Sequence, residues 1–241
     1  YPYRQDSDFW YLTGFPEPEA LAVFVPGRAQ GEYLLFVRGS DAARERWDGA
    51  RAGVRGALRR YGADGAYPLG EVEDILPGLL ERRARVYCML GWQPEFDRRL
   101  VGWANGRRGQ AQHGLHEPRQ FVALDHLLHE MRLHKSRAEL AALRQSARIA
   151  VAAHRRAMRR AAPGLMEYEL AAEIVHEFQR HGADTSYPPI VGGGANACIL
   201  HYRDNRAPLR DGDLVLIDAV CEHDLYASDV TRTFPVSGRY T

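Results

Sequence analysis

Leu214-Val-Leu-Ile-Asp218-Ala-Val-Cys-Glu-His223-Asp224-Leu-Tyr226-Ala-Ser-Asp229-Val-Thr-Arg-Thr-Phe234-Pro235 is the stretch from which the rest of the chain is read. Its first four residues form an apolar run that reads as a buried strand. Tyr226 to Phe234 is rich in β-formers and reads as a second strand. A hairpin centred on His223-Asp224 makes Asp218 and Asp229, eleven residues apart, direct cross-strand partners with Cβ atoms roughly 4.5–5.5 Å apart. Carboxylates at that separation repel, and beside an apolar run neither is well solvated. The spacing therefore predicts a cation between them. Two divalent ions bridged by carboxylate oxygen satisfy both charges and give a hydrolytic centre. The same residues also read as turn formers or helix caps, and a bulge or longer loop removes the pairing. Val220 lies two residues past Asp218 on the same side of the strand, where it either crowds a metal or fills a pocket.

Upstream of the hairpin, Gly192, Gly194 and Ala197 fit a dinucleotide fingerprint, with Asp218 about 20 residues on as the ribose-binding acid. That fingerprint must open a helix. Here Cys198-Ile-Leu-His-Tyr202 follows and reads as extended, so a loop needing positive φ is the better reading. His201 ends this segment beside the glycines, where a lone histidine serves as a satisfied core residue, a hydrogen-bond donor or an active-site group. Of the ten histidines, His154, His176 and His181 fall on helices, and His223 reads as a solvated turn residue.

The chain has 241 residues, 45% hydrophobic and 26% charged, with net charge +1, long enough for a sizeable core in one or two domains. Nearly all its basic residues are arginine, Lys135 being the single lysine. Equal acid and no basic block argue against a nucleic-acid partner. Three cysteines with no CxxC indicate a reducing compartment, and the composition suits a cytoplasmic enzyme. No apolar run approaches the ~20 residues of a membrane span. Strands at Ala20–Val25, Tyr33–Val37 and Val86–Leu90, with a helix from Glu71 to Arg83, suggest an α/β layer structure. A Gly- and Arg-rich stretch from Asn105 to Gly114 leads into a helix near Phe121 to Leu133. Ser136-Arg-Ala-Glu139 is a capping box opening a helix to Ala162, and a second helix runs from Glu167 to His181. The boundary between two domains falls at about residue 132.

Four blocks carry a resemblance that runs from one end of the chain to the other. The hairpin itself resembles the metal hairpin of the Xaa-Pro aminopeptidases (aminopeptidase P), pita-bread metallopeptidases of family M24. Tyr3-Arg-Gln-Asp-Ser-Asp-Phe-Trp-Tyr-Leu-Thr-Gly-Phe15 resembles that family's N-terminal domain signature. His129-Glu-Met-Arg-Leu-His-Lys-Ser136 resembles the start of its catalytic domain, and Ile190-Val-Gly-Gly-Gly-Ala-Asn-Ala-Cys-Ile-Leu-His-Tyr202 its substrate-side loop.

The resemblance implies an α/β (α+β) chain: a creatinase-like N-terminal domain over 1–132, then the first half of a pita-bread catalytic domain over 133–241. It implies removal of the first residue from peptides with proline at the second position, by hydroxide activated on two divalent metal ions, Mn²⁺ given the carboxylate-rich ligands. The family's ligand order is Asp, Asp, His, Glu, Glu. Asp218 and the bridging Asp229 fall on the first two, and the rest are expected beyond residue 241. His201 falls on a histidine that hydrogen-bonds the substrate or tetrahedral intermediate. Trp47 resembles a tryptophan that reaches a neighbouring subunit's site, implying a homo-oligomer, a dimer or tetramer, and Arg107 and Arg108 border the cleft. The family's hairpin turn has a glycine that this chain lacks, and Val220, Leu225 and Ser228 stand where relatives have small residues. A non-catalytic peptide- or protein-binding module and a prolidase-type dipeptidase are the alternatives.

Overall fold

Asp6 opens the first helix, α1 (Ser7–Thr13), by accepting the backbone N–H groups of Asp8 and Phe9 on its carboxylate. Gly14 closes it with φ +60°, a conformation that glycine adopts without steric penalty. The neighbouring Gln5 is buried. Its amide donates to the carbonyls of Phe15 and Glu17, and its oxygen accepts from Tyr3 Oη. The signature block is thus a structural clasp around the entry of the chain.

The computed structural model describes residues 3–106 and 118–240, which fall in two compact units, 1–133 and 134–241. In the first unit, β1 (Leu21–Phe24) pairs antiparallel with β2 (Tyr33–Val37). Helices α2 (Ala42–Asp48) and α3 (Gly53–Arg60) follow, then β3 (Gly65–Pro68), which pairs parallel with β2. Leu34 to Val37 of the central strand are fully buried, which is why they read as a continuous apolar run rather than an alternating one. One face packs Leu35 and Val37 on Phe15 and Ala57, and the other packs Phe36 on Val72 and Leu76.

Val72 and Leu76 belong to α4 (Val72–Leu79). The helix expected from Glu71 to Arg83 is shorter at its C-terminal end, because Leu80 to Arg83 turns away and Arg82 takes a positive φ. Next come β4 (Arg85–Cys88), α5 (Pro94–Gly106), β5 (Gln120–Ala123) and α6 (Asp125–Leu133). The helix expected from Phe121 instead begins at Asp125, since Phe121 to Ala123 pair parallel with β4 in a two-stranded sheet. Arg132 of α6 forms an ion pair with Asp8 and lies over the Tyr11 ring, tying α6 to α1. Arg107 and Arg108 lie outside the described residues.

The second unit starts with the expected cap. Ser136 accepts the Glu139 N–H, and Glu139 accepts the Ser136 N–H in return, opening α7 (Arg137–Arg160). Helix α8 (Glu167–Gln179) runs back along it. Four strands follow: β6 (Asp184–Thr185), β7 (Ile190–Gly193), β8 (Leu214–His223) and β9 (Tyr226–Pro235). All pairings are antiparallel: β6 and β7 share one edge of β8, and β9 lies along the other. Ala150, Ala153 and Ala157 of α7 and Leu170, Ile174 and Phe178 of α8 cover Val215, Ile217, Ala219 and Cys221. Those odd-numbered residues of β8 define the core face. The even-numbered residues, Asp218 among them, therefore point to the opposite face.

Candidate metal centre

The hairpin turns at Asp224-Leu225, which have φ +51° and +63°. Two central residues with positive φ make the twisted turn that matches right-handed strands, so His223 pairs with Tyr226 and still belongs to β8. His223 is half-buried, with Nδ1 3.5 Å from Asp224 Oδ2, rather than a solvated turn residue. The register is consequently shifted by two from the expected one: Asp218 faces Thr231, and Asp229 faces Val220. The two aspartates are diagonal neighbours on one face, somewhat further apart than directly opposed residues but within reach of each other's carboxylates. The expected direct pairing failed because a leucine at positive φ is a rare choice, and nothing in the local sequence announces it.

Two hydroxyls flank the carboxylates. Thr231 Oγ1 donates to Asp218 Oδ1 at 2.7 Å, and Tyr187 Oη donates to Asp229 Oδ1 at 3.3 Å. Tyr187 Oη also lies within hydrogen-bonding reach of Asp218, so the two carboxylates share it. Partial desolvation, then the charge of Asp218, pushes the Asp229 carboxyl above its ordinary range. Burial and the same two carboxylates push the Tyr187 phenol up, so it stays protonated and donates. The face is more open than the apolar flank suggested: Asp218 is half-buried and Asp229 exposed, while Val220 is buried opposite Asp229. Such a like-charged pair fits a hard divalent cation, as two ligands of a larger set. No cluster of three or more His, Cys, Asp or Glu side chains suited to a metal exists among the described residues.

The glycine segment is a short 3₁₀ helix, Gly194–Cys198, not the start of an α-helix. Gly194 has φ +53°, and a Cβ at Gly192 would lie 2.8 Å from the Asn196 backbone. Ile199 to Tyr202 is a tight turn closed by Tyr202 N–H to the Ile199 carbonyl at 3.2 Å, where an extended segment was expected. His201 sits exposed in that turn, and no hydrogen bond joins it to Asp218 or Asp229 among the described residues. Trp47 is 89% exposed near the C-terminal end of α2.

Two residues of this unit escaped the sequence reading. Glu167 is fully buried and accepts from Gly193 N–H and Asn196 Nδ2 on one oxygen and from Tyr202 Oη and Ala207 N–H on the other. His154 of α7 is also buried. Its ring nitrogens lie near the Val230 backbone without a hydrogen-bond partner among the described residues, and burial lowers its pKa. A Glu in a first helical turn and a His in a helix carry no local signal of burial.

An antiparallel sheet backed by two helices thus carries an aspartate pair on its open face. Residues 141–241 match the model of metallopeptidase family M24, and residues 1–87 match the aminopeptidase P N-terminal domain. Residues 141–241 therefore fall in metallopeptidase family M24, and residues 1–87 carry an aminopeptidase P N-terminal domain. The Xaa-Pro aminopeptidase of Escherichia coli K12 is 45% identical over 100% of this chain and 55% of its own length. That of Haemophilus influenzae is 40% identical, again over 100% of this chain and 54% of its own length. The structure of Pseudomonas aeruginosa aminopeptidase PepP superposes with a TM-score of 0.95 at 57% identity, covering 100% of this chain and 55% of that one. The chain thus spans about half the length of the relatives it matches. No helix among the described residues is long and apolar enough to cross a membrane.

Proposed function

We propose that this protein is a metal-dependent aminopeptidase that hydrolyses the N-terminal Xaa-Pro bond of peptides. The observation that carries the reading is the Asp218–Asp229 pair, two like-charged carboxylates on one face of the hairpin flanked by the hydroxyls of Thr231 and Tyr187. Asp218 and Asp229 would be two ligands of a divalent metal site, Mn²⁺ by ligand hardness, completed by further ligands of the family's His, Glu, Glu type. Such ions supply Lewis acidity and lower the pKa of water toward neutrality. Thr231 and Tyr187 fix the rotamers of the two carboxylates, as outer hydrogen bonds to metal ligands do. His201 donates to the oxygen of the scissile carbonyl, where negative charge develops. Trp47 contributes from a neighbouring copy of the chain to the substrate cleft, which makes the working enzyme a homo-oligomer, and its compartment is the cytoplasm.

The test is release of the first residue from an Xaa-Pro-Pro tripeptide by the protein in its natural length. Release that is raised by Mn²⁺ and abolished by a chelator supports the reading. A folded, Mn²⁺-saturated protein that releases nothing rejects it in favour of a peptide-binding module.

A further inference from the structure

A carboxylate with four hydrogen-bond donors lies outside the hairpin. Glu167 is the first residue of α8, with no exposed surface. Its Oε1 accepts from Gly193 N–H at 2.9 Å and Asn196 Nδ2 at 3.0 Å. Its Oε2 accepts from Tyr202 Oη at 2.8 Å and Ala207 N–H at 2.9 Å. The Glu167 backbone N–H also donates to the Ala207 carbonyl at 3.0 Å. No cation is among these partners. Several donors and the N-terminus of α8 replace water around this buried carboxylate.

Those donors come from both ends of one loop. Gly193 ends β7, Asn196 sits in the 3₁₀ turn, Tyr202 closes the following turn, and Ala207 marks the return of the chain. A second clasp lies beside the first: Asn205 accepts from Val191 N–H at 2.9 Å and donates to the Pro189 carbonyl at 2.7 Å. Between them the clasps fix the base of the loop and leave its tip exposed, where Leu200 is 89% exposed and His201 sits beside it.

We propose that Glu167 is a positioning residue whose buried carboxylate holds the 193–207 loop by both ends and so sets where His201 meets the substrate. The inference rests on the aminopeptidase reading above, in which His201 supports the scissile carbonyl. A plain structural staple would affect folding but not depend on His201. A positioning residue acts through His201, so its effect vanishes once His201 is gone.

A double-mutant cycle separates the two, using Glu167→Gln, His201→Ala and the pair in the Mn²⁺-loaded protein of natural length, with the tripeptide as substrate. Glu167→Gln keeps the shape but turns one acceptor into a donor facing donors. The expected result is a fall in kcat of about 10- to 100-fold with KM and bound Mn²⁺ little changed, the size of effect that small misplacement of a catalytic group produces. In the His201→Ala background, Glu167→Gln should cost less than about 2-fold more. Losses that multiply in the double variant would overturn the inference, as would full activity in Glu167→Gln. If Glu167→Gln does not fold, Tyr202→Phe removes one donor. It should lower kcat by about 3- to 10-fold with His201 present and not without it, and a loss in both backgrounds would overturn the inference. An inactive wild type would overturn the activity reading and the role of Glu167 with it. An active wild type with multiplying losses would overturn the role of Glu167 alone.

Discussion

The second unit contains two carboxylate settings with opposite designs. Glu167 is sealed from water, with both oxygens doubly occupied by protein donors. Asp218 and Asp229 share an open face, flanked by the hydroxyls of Thr231 and Tyr187, and Asp229 is harder to ionise because of its setting and its neighbour. The first carboxylate has no lone pair left for a ligand and serves the fold. The second pair costs the fold through repulsion and keeps lone pairs in reserve. Charge alone does not mark a functional acid; what matters is how much of its hydrogen-bonding capacity the protein leaves unused.

Several substitutions would break or sharpen that contrast. The largest effect belongs to the open pair. Asp218→Asn or Asp229→Asn should lower tripeptide hydrolysis by more than about 100-fold, beyond what loss of an outer partner costs. The same variants, melted in chelator, should be as stable as wild type or more so, because a repulsion is gone. A clear loss of metal-free stability would show that the pair serves the fold after all.

At the sealed site the balance reverses. Glu167→Ala leaves its donors buried without partners, and urea unfolding should show a loss of about 3 kcal/mol or more. A loss below about 1 kcal/mol would mean that water reaches those donors. Smaller strain lies at the tip of the metal hairpin. Leu225→Gly should raise stability by about 1 kcal/mol, since a left-handed conformation costs a side-chain-bearing residue about that much. Chemical denaturation of Leu225→Gly beside Leu225→Ala separates relief of strain from loss of the side chain.

The smallest effect is titration behind the hairpin. His154 has a folded pKa below its ordinary 6.5, burial being the largest cause, with Arg232 lowering it further and Asp218 opposing. The buried ring is therefore neutral. Its contribution is fully present above pH 6.5 and declines as the pH falls from 6.5 toward the lowered folded value. Melting temperature measured against pH should fall less steeply below pH 6.5 in His154→Leu than in wild type. Parallel curves would remove His154 from the acid response.

Much of this was legible from residue pattern. The apolar run at Leu214 to Ile217, the β-formers from Tyr226 and the capping box at Ser136 all became the elements they suggest. The shared face of Asp218 and Asp229 was legible too. What stayed hidden depends on contacts distant in sequence. Phe121 to Ala123 became a strand because β4 offered a parallel edge, and no local propensity records that. Glu167 reads as one more helix-opening acid, and only the convergence of Gly193, Asn196, Tyr202 and Ala207 reveals it as the hub of a loop. The turn at Asp224-Leu225 defied the usual Asn-Gly signal, so the register was two positions from the expected one.

That two-position error was harmless for a reason that reaches beyond prediction. In β8 the open face belongs to even numbers, and across the two-residue turn it passes to odd numbers in β9. Any two residues on that face and on opposite strands are therefore separated by an odd count, as Asp218 and Asp229 are by eleven. Gaining or losing residues in twos changes how far apart the carboxylates lie but keeps them facing together. With the two-residue turn kept, a single inserted or deleted residue would send Asp229 through the sheet to the side lined by Ala150 and Ala153. The hairpin works as a parity check on its own gene: it forgives even errors in length and rejects odd ones.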